Sequence, residues 1–150
     1  DTSKEAASSR YYNELMHQFE FGHNVPFQVL GLLILWFGFY GFNPGSTLKA
    51  QNSMDLASKI AVNTTLSAAA GGITGAFVAR YYTKTWHIPR LVNGVLAALA
   101  SITASCAVVS NGWAIFIGFV GSLLYYGASN LVIKLEIDDP LDAFAVHGVG

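Results

Sequence analysis

The chain has 150 residues, of which 53% are hydrophobic and only 11% charged, and its formal net charge is -1. Soluble domains carry about 25% charged residues, so too little polar surface is available to cover a water-soluble globule, and a disordered chain is excluded on the same grounds. Eight basic against nine acidic residues form no stripe able to neutralise phosphates, which argues against nucleic acid as a partner.

In chain order, residues 1–21 read as a polar loop of mixed charge, without the apolar core of a signal peptide. Three long runs without Asp, Glu, Lys or Arg follow: 28 residues between Glu20 and Lys49, 20 between Lys59 and Arg80, and 43 between Arg90 and Lys134. A bilayer core of roughly 30 Å takes about 20 helical residues at roughly 1.5 Å each. The first two runs therefore fit one span each, and the third fits two, divided at the turn-forming Ser110-Asn111-Gly112. The expected spans are 25–43, 58–79, 91–109 and 113–133. A β-barrel would alternate in polarity, whereas "VLGLLILWFGFYGF" is continuously apolar. An all-α integral membrane protein is expected, with four complete transmembrane helices plus the start of a fifth.

That fifth helix is expected from residue 140. Asp139 reads as its N-cap, Pro140 suits the first helical position, and Asp142 adds an acid to the first turn. The chain stops soon after, so it reads as an internal piece of a larger membrane protein. The connection holding Arg80, Lys84 and Arg90 has three cations and no acid, which places it in the cytoplasm. Threading from there puts residues 1–24 and 134–139 on the same side and the Lys49 to Lys59 loop outside.

Four residues near the end of the first span, Leu35, Phe39, Phe42 and Ser46, recur at i, i+4, i+7 and i+11, one helical face. They read either as a pore wall ending in a hydroxyl or as packed and lipid-facing aromatics. Pro44 and Gly45 interrupt the helix there, and irregular backbone at that depth must be covered by protein or line a cavity. His147 lies eight residues beyond Asp139, about 12 Å into the membrane at roughly 1.5 Å per residue. An ionisable group at that depth faces a pathway or a partner; the alternative is a structural histidine bonded to a carbonyl. Gly71, Gly75 and Ala79, and Gly118 and Ser122, repeat at four-residue spacing, as close helix packing in lipid requires. Cys106, the single cysteine, has no partner for an internal disulfide. No ligand spacing indicates a metal, and nothing indicates a cofactor or, with no nucleophile and base pair in the spans, an enzyme.

Three stretches carry a family resemblance: "GHNVPFQVLGLLILWFGFYGFNPGS" at 22–46, "NTTLSAAAGGITG" at 63–75 and "IDDPLDAFAVHGVG" at 137–150. The chain resembles the Amt/Mep ammonium transporters of the Amt/Rh superfamily, so that residues 22–150 would be a fragment of that transporter domain. The resemblance implies an eleven-helix fold of two inverted halves, of which this chain supplies helices six to nine and the start of ten, in a homotrimer with one pore per subunit. It implies a multi-pass protein of the plasma membrane whose partners are ammonium or ammonia and the lipid bilayer.

Carried over by motif, Phe42 matches an aromatic of the outer gate, Ser46 the hydroxyl of the external recruitment site, and His147 the second of twin pore histidines. Leu35, Phe39 and Ala143 match pore-lining positions, Phe39 standing where many relatives have tryptophan, and Asp142 matches a structural acid. The implied function is ammonium transport. The ion is recruited outside and deprotonated, and ammonia passes an apolar pore lined by the histidine pair. An ammonium sensor and an Rh-type ammonia channel are the alternatives of the same fold.

Overall fold

The computed structural model describes residues 24–47, 54–139 and 141–150, together with Arg10. The expected loop at 1–21 lies outside the described residues apart from Arg10, and so does Pro140. Among the described residues the regular structure is helical: α1 (Val25–Phe42), a 3-10 turn (Gly45–Thr47), α2 (Met54–Thr83), α3 (Ile88–Thr103), α4 (Asn111–Lys134) and a π-helical turn (Phe144–Val149).

Helix α1 starts where the Asn24 side chain accepts a hydrogen bond from the Phe27 N–H at 3.2 Å, with Pro26 in the first turn, where its missing N–H costs nothing. It ends at Phe42 because Pro44 has no N–H to continue the ladder. The Asn43 N–H closes on the Phe39 carbonyl at 2.8 Å, and Thr47 turns back onto Pro44.

Helices α2, α3 and α4 pack mutually, while α1 leans mainly on α3. The three-helix seam is made of small residues. A Cβ added to Gly118 of α4 would lie 2.1 Å from the Ser67 carbonyl oxygen of α2, and one added to Gly71 would lie 2.3 Å from the Ala98 Cβ of α3. Backbones can touch like this only where side chains are absent, and in lipid such contact replaces the hydrophobic effect as the packing force. Helix α1 differs: Leu32 is its buried residue, whereas Phe27, Ile34 and Phe37 are exposed.

The third helix stops at Thr103, short of the Val109 that the uncharged run suggests, and the chain from Ala104 to Val109 is turns and a bend. The hydroxyls of Ser101 and Thr103 bond back to the Ala97 and Leu99 carbonyls, each at 2.8 Å, competition that weakens a helix end. Helix α2 satisfies the carbonyls left over. Asn63 donates to the Cys106 and Val109 carbonyls at 2.9 and 3.0 Å, and Lys59, one turn away, donates to Ala107 at 3.0 Å. Irregular backbone is thus covered by polar groups of a neighbouring helix. Two segments, Val25–Thr47 and Asn111–Lys134, are long and apolar enough to cross a membrane, and Ile88–Thr103 is a shorter apolar helix. Helix α2 is longer than these, but the polar residues with which it grips its neighbours, Asn63, Thr64 and Ser67, dilute its apolar character.

The connection between α2 and α3 carries cations on aromatic faces. Arg80 lies 5.7 Å from the Trp86 ring centroid, Lys84 5.1 Å from that of Tyr81, and Arg90 4.5 Å from that of Tyr126 on α4. Such pairs anchor the basic connection to the helix ends.

Candidate functional site

At the Phe42 end of α1 the structure gathers Phe39, Phe42 and Ser46. The Phe39 and Phe42 rings meet edge to face with centroids 6.3 Å apart. Phe39 is half-buried against the Leu32 and Leu99 cluster, whereas Phe42 is 60% exposed. Ser46 does not lie on a continuous helical face, because α1 has already ended. The 3-10 turn brings it back, and its hydroxyl donates to the Phe42 carbonyl.

Phe42, Asn43, Ser46 and Thr47 line one side of a cleft of about 320 Å³, and Ile60, Thr103 and Cys106 line the other. An aromatic face beside a hydroxyl whose lone pairs remain available suits a small cation. Leu35 is exposed further back on α1 and does not line this cleft. Two hydrogen bonds tie this end to α2: Tyr40 with Thr65 at 2.7 Å, and Asn43 to Thr64 at 3.2 Å.

The second group lies where an α-helix was expected from residue 140. The observed chain is different: a turn leads into the π-helical turn at Phe144. Asp139 accepts hydrogen bonds from the Ala143 and Phe144 N–H groups, both at 2.9 Å. Asp142 is not an exposed acid of a first helical turn. It has φ 53° and is 1% exposed, and its carboxylate accepts from Tyr125 at 2.8 Å, from Ser129 at 3.0 Å and from Asn93 at 3.4 Å. The reason is packing: α3 and α4 present three donors where the chain folds back, and a buried carboxylate needs them all.

Beyond Asp142 the turn has two faces. Ala145 and Val146 are buried with Ala97, Tyr125 and Tyr126. Ala143, Phe144 and His147 lie on the other face and are exposed. The cleft at Phe42 does not reach Ala143 or His147, so the structure forms two separate groups. Sequence reasoning missed Asn93, Tyr125 and Ser129. The only signal available was the i, i+4 spacing of Tyr125 and Ser129, two polar groups on one face of an apolar helix.

The model of the Ammonium Transporter Family matches residues 10–150. The chain belongs to the ammonium transporter family. The match begins ahead of Gly22, where the motif resemblance starts, and the family is one of membrane proteins, which accounts for the long charge-free runs. Among relatives, the chain is 40% identical to putative ammonium transporter 1 member 5 of Arabidopsis thaliana over 85% of this chain and 27% of that protein. Among solved structures it superposes on Mep2 of Candida albicans with TM-score 0.78 at 37% identity, covering 85% of this chain and 28% of Mep2. A structure described as a sensor Amt protein gives TM-score 0.80 at 38% identity, with 31% of that chain covered. The chain thus spans between a quarter and a third of the length of these ammonium transporter relatives.

Proposed function

We propose that this chain supplies the second-half helices, six to nine and the start of ten, of an eleven-helix inverted-repeat transporter that moves ammonium across the plasma membrane as a homotrimer. The four spans are α1 to α4, the basic connection between α2 and α3 faces the cytoplasm, and the Phe42 cleft opens outside. The observation that carries the reading is the cleft, where an exposed aromatic and a hydroxyl meet at the broken end of an apolar helix in a chain of this family.

Ammonium is held there by cation-π contact with Phe42 and by a hydrogen bond to the Ser46 oxygen. Carrying the ion intact through an apolar pore costs on the order of 3 kcal/mol even by insertion scales. Release of the proton removes that cost, and ammonia crosses past Leu35, Phe39 and Ala143 while His147, one of a histidine pair, handles the proton. A neutral imidazole suits this work because one nitrogen donates while the other accepts.

The test is ammonium-driven current and uptake in transport-deficient cells expressing the full-length protein. Wild type restores uptake and His147→Ala abolishes or alters the current; an unchanged current would overturn the role of His147. The likeness to a sensor Amt structure favours one second reading, in which the same cleft binds ammonium for signalling. Binding without appreciable uptake would establish that instead.

A further inference from the structure

The buried cluster around Asp142 is more elaborate than a helix start needs. Asp139 alone satisfies the first free N–H groups of the turn, those of Ala143 and Phe144. Asp142 adds a left-handed backbone conformation, unusual for a residue other than glycine, and a carboxylate with three side-chain donors drawn from two different helices. Its carbonyl accepts the Val146 N–H at 2.8 Å, so the same residue that is fixed by Tyr125, Ser129 and Asn93 fixes the backbone immediately before His147. Ala145 and Val146 then lock one face of the turn against Ala97, Tyr125 and Tyr126. With that face held, the backbone that carries His147 is fixed on the opposite, exposed face.

We propose that Tyr125, Ser129 and Asn93, acting through Asp142, are positioning residues for His147. They set the rotation of the π-helical turn that carries the imidazole and do not themselves touch the transported species. Their effect on transport passes through the histidine, so the proposal rests on the transport reading given above. A purely structural cluster would act on the amount of folded protein and be blind to which side chain stands at 147.

The experiment compares Tyr125→Phe, Ser129→Ala and His147→Ala, alone and each of the first two combined with His147→Ala, in the full-length protein, with flux normalised to protein at the cell surface. Each positioning variant should lower maximal ammonium-driven current about fivefold, the scale of one lost hydrogen bond, with half-saturation unchanged and the pH profile displaced. In a His147→Ala background that retains flux the same changes should have no further effect, because coupled residues are not additive, and where His147→Ala abolishes flux the His147 ring resonance decides. The ¹⁵N resonance of the His147 ring, recorded on the labelled protein in lipid, should also move in Tyr125→Phe. Equal fractional losses in both backgrounds, or an unmoved ring resonance with unaltered flux, overturn the positioning role and leave the transport reading standing. A His147→Ala current identical to wild type overturns both together.

Discussion

Ser46 is the hydroxyl of the proposed recruitment site. Its hydrogen is committed to the Phe42 carbonyl, so the lone pairs of its oxygen are left as acceptors, and the same bond holds it beside the Phe42 ring. In the proposed mechanism, replacing it removes one acceptor from the bound ion and leaves the apolar remainder of the path intact. Ser46→Ala in the full-length protein is therefore expected to raise the half-saturation concentration for uptake about fivefold, as loss of one hydrogen bond does, with little change in maximal rate, the pattern of lost uniform binding. Initial uptake rates over a range of ammonium concentrations decide it; a fall in maximal rate at constant half-saturation would move Ser46 out of the recruitment site. Asp142 is the opposite kind of residue. Its three donors lie 17, 13 and 49 positions away in sequence, and no local pattern announces pairings at those separations.

Among the elements, α2 does most to organise the others. Its small residues admit the backbones of α3 and α4, and its Asn63 and Lys59 hold the turns after α3. The four-residue spacing of glycines in the sequence conveyed that close packing, because the spacing itself defines a helical stripe. The early end of α3 was not legible, since an uncharged run reports what lipid tolerates and not where hydroxyls and a neighbouring Asn unmake a helix. The same limit applies at residues 140–150, where a capping pattern suggested an α-helix and buried donors on α3 and α4 produced a turn and a π-helical segment. The packing makes a sharp contrast between two glycines. At Gly118 any side chain collides with Ser67 backbone, whereas a Cβ at Gly38 of α1 meets nothing within 4 Å. Gly118→Val should destabilise the protein by about 3 kcal/mol or more, in the range of severe overpacking, and Gly38→Ala should change stability by less than about 1 kcal/mol. Thermal unfolding of the purified full-length protein in detergent measures both, and equal midpoints for the two variants would contradict the backbone contact between α2 and α4.

At the scale of the whole molecule, the charges of the connections bear on which side of the membrane each one occupies. Arg80, Lys84 and Arg90 lie in a connection without acids, and short loops of that kind stay in the cytoplasm. In the proposed orientation α3 carries the chain across before α4 returns it, although its 16 residues give only about 24 Å at ~1.5 Å per residue, less than the ~30 Å of a bilayer core. In that orientation the turns at 104–109, held by Asn63 and Lys59, would supply the remaining depth. This makes opposite predictions for the two connections flanking α3. In the full-length protein with Cys106 replaced by Ser, which keeps a donor for the Thr103 carbonyl, and every cysteine outside these 150 residues also replaced, single cysteines are introduced as Thr85→Cys between α2 and α3 and Gly112→Cys at the start of α4. Both sites are exposed, and a Cβ at Gly112 meets nothing within 4 Å. A membrane-impermeant maleimide added to intact cells should label Gly112→Cys and spare Thr85→Cys, while permeabilised cells should show both labelled. Labelling of Thr85→Cys alone would invert the orientation and turn the Phe42 cleft toward the cytoplasm, ending its assignment as the site where external ammonium is captured. Labelling of both in intact cells would mean that α3 and its turns do not cross, and the third span would have to be withdrawn.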